Sequence, residues 1–360
     1  MTRSEDLVEE ATKTAEAGKK SSFAWVIGSE IFAPLPPTTW RVPGLQLCPG
    51  RPSMLIAFGA SGKTLASQAL LLACATGKPV WGQFQVPAPM VTRHLDHEQG
   101  KHATQKRYQR LAKGMGLSEE EVTEMCLHSR LGFSNFPKTY LNSPGSESTY
   151  CREFEGVDLV ILDALRGATP GIDENDSKIR DCIDQLARVS EKIGTTFWVL
   201  HHAGKGGLNS DDSDRRTYAR GSSAIFDAAG SAFLLKGGVN EPKRMSHQKP
   251  PAEAEGAAVD DFYLSIRDTL DGGVSVDYQT VEQVEGVSTD VGAKIDETAR
   301  RIESTLRDNP GITLRMLRAT VKGGRELFDE AYERMTDDGR VVDRGTESRS
   351  KLFVISHEVH

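Results

Sequence analysis

The sequence predicts an α/β fold with a mostly parallel sheet, followed by a small C-terminal module of helices and a hairpin. Three observations carry that expectation. Between about residues 44 and 236, short apolar runs alternate with helical stretches, the pattern of βαβ units around a parallel sheet. Inside that region, MLIAFGASGKTLASQALLLACA (54–75) reads as a strand, a Gly-rich turn and a helix. At VEGVSTDVGAK (284–294) the composition shifts, and the pattern beyond it is helical.

The first 43 residues read as a polar helix over 5–17 and a Pro-rich lead-in, APLPPTTW (33–40). The core is expected over 44–283. Its strands are MLIAF (54–58), MVTRHLD (90–96), DLVILD (158–163), TTFWVL (195–200) and SAFLL (231–235), and its helices begin at Lys63, at His102 and near Asn175. Residues 237–260, rich in Gly, Pro, Lys and Glu, read as a loop, and FYLSIRD (262–268) with VSVDYQT (274–280) as an antiparallel pair at the sheet edge. Residues 284–294 read as a linker and 295–360 as a separate small domain.

Hydrophobic residues make up 38% and charged residues 26%, ordinary values for a soluble globular chain. No apolar run approaches the roughly 18 residues of a membrane span, and the charged N-terminus lacks a signal-peptide core, so a cytoplasmic protein with no membrane partner is expected. The five cysteines form no C-x-x-C pair, which speaks against a disulfide framework or zinc site. A net charge of −7 requires any nucleic-acid contact to come from a local basic patch.

The Gly-rich turn carries the strongest chemistry. A turn that opens a helix presents backbone N–H groups where the helix dipole favours anions. Gly59, Ala60, Ser61, Gly62, Lys63, Thr64 and Leu65 would therefore cradle the phosphates of ATP. Lys63 would reach the β- and γ-phosphates, and the Thr64 hydroxyl would ligate Mg²⁺. Position 57 is Ala where G-x-x-x-x-G-K-[ST] has its first Gly. About 100 residues on, DLVILD ends an apolar strand in Asp163, the placement of a carboxylate beside Mg²⁺ and its waters.

Two further segments end in titratable groups. In VTRHLDHEQGKH, strand alternation puts His94, Asp96 and Glu98 on one face and His97 on the other, so the two histidines would not chelate one ion. The strand end, beside the phosphate loop, would deliver Glu98 to orient an attacking water, with a helix-capping acid as the alternative. TTFWVLHHAGKGG ends in His201 and His202, which on their residues alone read as a half-buried pair. The polar stretch KGGLNSDDSDRRTYARGSS (205–223) holds Lys205, Arg215, Arg216 and Arg220, able to touch DNA phosphates or a neighbouring subunit's nucleotide.

The order GASGKT, HLDHEQ, DLVILDALRG, VLHHAGKG, RGSSAIFDA and SHQK resembles the RepA-type, hexameric-helicase-like branch of the RecA ATPases over roughly residues 40–270. The resemblance implies a RecA-like P-loop core, ATP with Mg²⁺, and nucleotide sites at subunit interfaces of a homo-oligomer, a hexameric ring or a filament. It supports Lys63, Thr64 and Asp163 in the roles above, makes Glu98 the catalytic carboxylate, His202 a γ-phosphate sensor and Arg220 an arginine finger acting across an interface. After SHQK, where such proteins often carry a further Arg, this chain has Pro251, leaving Lys249 as the only second trans-acting cation.

Residues 295–360 read as three helices and a hairpin and resemble a winged helix-turn-helix, with Arg325 and Arg334 by the third helix and Arg344, Arg349 and Lys351 on the wing. From residue 294 onward, thirteen Lys and Arg match thirteen Asp and Glu, so this module is neutral and is equally read as a protein-docking element. The expected function is an ATP-driven, helicase-like motor on DNA in replication or in a mobile element. Single strands would lie in the core, with a duplex or a protein partner at the winged helix. The alternatives are a RecA-type recombination or repair ATPase and an ATP-switched DNA-binding regulator.

Overall fold

A computed structural model of the chain describes residues 25–173, 176–203, 223–238, 241–321, 325–345 and 352–354. The expected polar helix over 5–17 lies outside them. The chain separates into two units, one ending at Thr39 and one running from Trp40. In the first, the described residues hold a short 3-10 helix, Gly28–Phe32.

The second unit is built on a nine-stranded sheet. Its strands are β1 (Ser53–Ala57), β2 (Thr92–Asp96), β3 (Leu131–Asn135), β4 (Leu159–Asp163), β5 (Thr196–His202), β6 (Ser231–Lys236), β7 (Lys243–Lys249), β8 (Phe262–Asp268) and β9 (Val274–Gln279). Their order across the sheet is β3-β2-β4-β5-β1-β6-β7-β8-β9. The first six in that order are mutually parallel, and β7, β8 and β9 follow antiparallel. β1, β4 and most of β5 are buried along their length, as near-continuous apolar runs covered on both faces must be.

Helices cover both faces: α1 (Lys63–Thr76), α2 (Lys101–Gly114), α3 (Glu119–Leu127), α4 (Ser146–Glu153), α5 (Leu165–Ala168), α6 (Ile179–Ile193) and α7 (Ser223–Ala228). Every residue of α1 from Ala66 to Ala75 is buried, which suits its all-round apolar composition. It belongs to one core cluster with Leu55, Trp198, Phe233 and Phe262. α6 buries Ile179, Cys182, Ile183, Leu186 and Val189, one stripe at helical spacing, in a second cluster with Met54, Val160 and Phe197.

Several boundaries differ from expectation. The helix expected near Asn175 starts at Ile179, after a turn in which Asp176 accepts the Lys178 N–H at 2.9 Å. The loop expected over 237–260 contains β7. Its inward positions include Lys243 and His247, whose polarity hides the alternation. His247 stacks on Phe233 at 4.0 Å and bonds Ser231 Oγ at 2.9 Å, so its polar atoms are satisfied in the sheet. Lys249 is likewise engaged: its ammonium donates to the carbonyls of Phe226, Asp227 and Ala229 at the end of α7. That is a helix-terminus contact inside the chain, and it gives each of the three ammonium hydrogens an acceptor.

The expected linker 284–294 lies within one helix, α8 (Val281–Asp308), started by a capping box in which Thr280 and Gln283 exchange side-chain and backbone bonds. Beyond it come α9 (Leu314–Thr320), α10 (Arg325–Asp337) and the antiparallel pair β10 (Val341–Asp343) and β11 (Leu352–Val354). Ile302, Leu306, Leu317, Phe328, Met335 and Leu352 are among the members of their own hydrophobic cluster.

Candidate functional site

The site lies at the C-terminal ends of the parallel strands, where β1, β4 and β5 feed their loops toward one another. β1 runs into a turn that ends on Gly62 at φ +85°, and α1 begins at Lys63. An added Cβ at Gly62 would stand 2.4 Å from Ile266 Cδ1, the end of a side chain that can turn aside, so it is the left-handed backbone that calls for Gly. At Gly59 a Cβ would meet nothing within 4 Å, so the crest of the loop is open. The first N–H groups of α1 have no intrahelical acceptor and face this opening. Ser61 is turned inward, its N–H and hydroxyl both directed at Phe58 O (3.4 and 2.8 Å).

Five side chains converge here. The Thr64 hydroxyl donates to Asp163 Oδ2 at 2.8 Å. Asp163, only 1% exposed, keeps its other oxygen buried and without a hydrogen-bond partner. Burial pushes its carboxyl up to about 6, Thr64 and Lys63 working against the rise and Glu98 and Asp96 adding to it. The buried Lys63 ammonium lies 3.5 Å from His202 Nδ1, and His202 Nε2 lies 3.2 Å from Glu98 Oε1. Because Glu98 is an acceptor and Lys63 a donor, the neutral imidazole must carry its proton on Nε2. The His202 hydrogen bond holds the Glu98 carboxyl below its usual range, with Lys63 and Arg107 acting the same way.

Glu98 does not reach the site as expected. β2 ends at Asp96, and β4 and β5 stand between it and β1, so the strand is not beside the phosphate loop. The buried Asp96 carboxylate ends the strand: it accepts the N–H groups of Glu98 and Gln99 (3.0 and 2.8 Å) and the Thr104 hydroxyl (2.6 Å). Glu98 therefore lies in a turn that carries it past β4, with its side chain one-third exposed. His97 lies just past the strand; its N–H bonds Asp163 O at 2.7 Å and its ring sits 6.0 Å from Tyr140.

Lys63, Thr64, Glu98, Asp163 and His202 are thus brought together, and Arg220 lies outside the described residues, with Lys205, Arg215 and Arg216. Asp96 and Thr104 escaped the sequence reading as determinants of the site. The D-x-E-Q-x-x-x-x-T spacing was their only signal, and its meaning depends on where the strand stops.

A buried amine, a hydroxyl and an unsatisfied carboxylate oxygen beside an open helix N-terminus fit a nucleoside triphosphate with its divalent cation. With the sheet order and the strand–loop–helix around Lys63, they define a RecA-like P-loop ATPase. The chain belongs to the AAA domain family AAA_25, whose model matches residues 17–207, more than half of its length. Among solved structures it is similar to the RadB recombinase, at 15% identity over 66% of this chain and 93% of that one, with a TM-score of 0.44. It is also similar to the flagellar accessory protein FlaH from Methanocaldococcus jannaschii, at 9% identity over 65% and 92%, with a TM-score of 0.41. No curated protein matches it. Among the described residues no helix is long and apolar enough to cross a membrane.

Proposed function

We propose that this chain is an ATP-hydrolysing motor that acts on DNA, a helicase-like ATPase of replication or of a mobile element. The observation that carries the ATP chemistry is the chain Lys63–His202–Glu98 beside the Thr64–Asp163 pair. Lys63 and the loop over 59–65 would hold the phosphates, and Thr64 and Asp163 the cation. When bound, Mg²⁺ neutralises phosphate charge and orients the phosphoryl oxygens.

The chain's own residues supply the rest. Glu98, kept ionised by His202, is the base that orients and deprotonates water. His202 reports the γ-phosphate, because a phosphate that draws the Lys63 ammonium toward itself lengthens a contact with the imidazole that is already 3.5 Å. Without nucleotide, Lys63 supports His202 and His202 occupies Glu98. A phosphate that draws Lys63 away weakens that hold and frees the carboxylate for water. Arg220 is the residue we assign to completing a neighbour's site in a ring or filament, on the strength of the RGSS resemblance. The DNA assignment rests on the same resemblance and on the basic residues of 205–220. The helices and hairpin beyond α8 are the element we assign to a duplex or a protein partner.

The test combines Lys63→Ala, Glu98→Gln and a forked duplex. Lys63→Ala is expected to lose ATP binding, and the wild-type oligomer to unwind the fork in ATP. Hydrolysis and DNA binding without unwinding would make the chain an ATP-switched regulator or a recombination ATPase instead.

A further inference from the structure

Behind Asp163 lie two buried polar side chains that the hydrolysis scheme leaves unused. His94, on β2, shares the face of Asp96 and Asp163. In register it stands opposite Ile161 and Phe133, two pairs back from the Asp96–Asp163 pair. Its ring is 1% exposed. Tyr108, from α2, lies edge-on to it at 6.0 Å and stacks on Phe133 at 5.9 Å, so the imidazole is enclosed by rings. The Tyr108 hydroxyl is 3.2 Å from His94 Nδ1, and His94 Nε2 is 3.9 Å from Asp163 Oδ2 without a hydrogen-bond partner of its own.

The surroundings decide where the single proton of this imidazole sits. Its two nitrogens face different partners: Nδ1 a hydroxyl that can donate, Nε2 a carboxylate that can only accept. A bare Nε2 would aim its lone pair at the carboxylate of Asp163 in a region without water. An N–H there is attracted to it instead, and at 3.9 Å the attraction is electrostatic rather than a hydrogen bond. Nδ1 is then the acceptor, and the Tyr108 hydroxyl must donate to it. The result is a one-way series, Tyr108 O–H to His94 and His94 N–H toward Asp163. Arg107, on the same helix face, adds positive charge near His94 and Glu98.

We propose that His94, oriented by Tyr108, is a positioning residue for the nucleotide's divalent cation. It holds the Asp163 carboxylate so that Oδ2 serves Thr64 while Oδ1 is left for the cation and its waters. The inference rests on the magnesium–ATP reading of Asp163 and adds a layer behind it. The design resembles the outer shell of a metal site, where the group behind a ligand sets its orientation and affinity.

The experiment titrates Mg²⁺ against binding of a fluorescent ATP analogue by the full chain. The proteins are wild type, His94→Phe, His94→Gln and Tyr108→Phe, each checked by thermal unfolding. His94→Phe is expected to raise the Mg²⁺ needed for half-maximal binding about 10- to 100-fold, with affinity in EDTA unchanged. His94→Gln, whose amide can still point an N–H at Asp163, is expected to recover most of the loss, and Tyr108→Phe to fall between. If His94→Phe does not fold, the Gln and Phe substitutions at 94 and 108 carry the comparison. Wild-type Mg²⁺ dependence in the folded variants overturns this inference alone. A wild-type chain that binds the analogue without regard to Mg²⁺ overturns the magnesium–ATP reading and this inference with it.

Discussion

Asp163 shows what a single buried charge does to the molecule. Its carboxyl titrates near 3.8 in an unfolded chain and is pushed up to about 6 by burial in the folded one. Between those values the folded state binds more protons, so this group's contribution is fully present below about pH 4 and is lost as pH rises to about 6. The loss at neutral pH is on the order of 2–3 kcal/mol. Asp163→Asn is therefore expected to melt higher than wild type at pH 7.5 without nucleotide, with the gap closing by pH 4. A gap of equal size at both pH values would remove burial as the cause. At Glu98, replacement by Gln keeps shape but loses the charge that His202 stabilises. We expect nucleotide binding to persist and turnover to fall about 10²- to 10⁴-fold, measured in single-turnover assays. Lys63, Thr64 and Asp163 were legible because their chemistry follows from chain order: loop, helix, distant acid-ended strand. Asp96 and His94 were not, because what they do depends on the register of β2 with β4 and on the face that α2 presents.

Helix α2 links these residues to the far edge of the sheet. Thr104 and Tyr108 hold Asp96 and His94 near its start, and Gly114 at its end lies against β9. A Cβ at Gly114 would stand 2.0 Å from the carbonyl oxygen of Val274, and backbone cannot yield as a flexible side chain does. Gly114→Ala is expected to cost about 1–3 kcal/mol in urea unfolding and to weaken the Asp96 turn that presents Glu98. A change within about 0.5 kcal/mol would mean that α2 shifts freely. Strand periodicity revealed β1, β4, β5, β6, β8 and β9 because their inward positions are apolar. It missed β7, whose inward Lys243 and His247 are polar, and β3, whose partly exposed Gly and Ser positions carry no alternation. The continuity of α8 through 284–294 was obscured by the composition shift there, although the capping box at Thr280 starts a helix that runs through it.

For the whole molecule, the net charge of −7 and the neutral C-terminal segment are why we assign single-stranded DNA to the 205–220 stretch. Each phosphate contact lowers log affinity by about 0.7 per decade of salt. Arg215→Ala with Arg216→Ala is expected to weaken single-strand binding and flatten that slope, whereas removal of 295–360 leaves it nearly intact. The reverse result would give the DNA to the C-terminal module. The parallel sheet and phosphate loop follow from sequence alone, while the residues proposed for assembly and for DNA lie outside those described. The most direct measurement is the ATP hydrolysis rate of the intact chain in Mg²⁺ as single-stranded DNA is added, with Glu98→Gln in parallel. An ATP-driven DNA motor accelerates with DNA while the Glu98→Gln chain stays bound and silent. A wild-type rate indifferent to DNA, or a Glu98→Gln chain that hydrolyses as fast as wild type, contradicts the account.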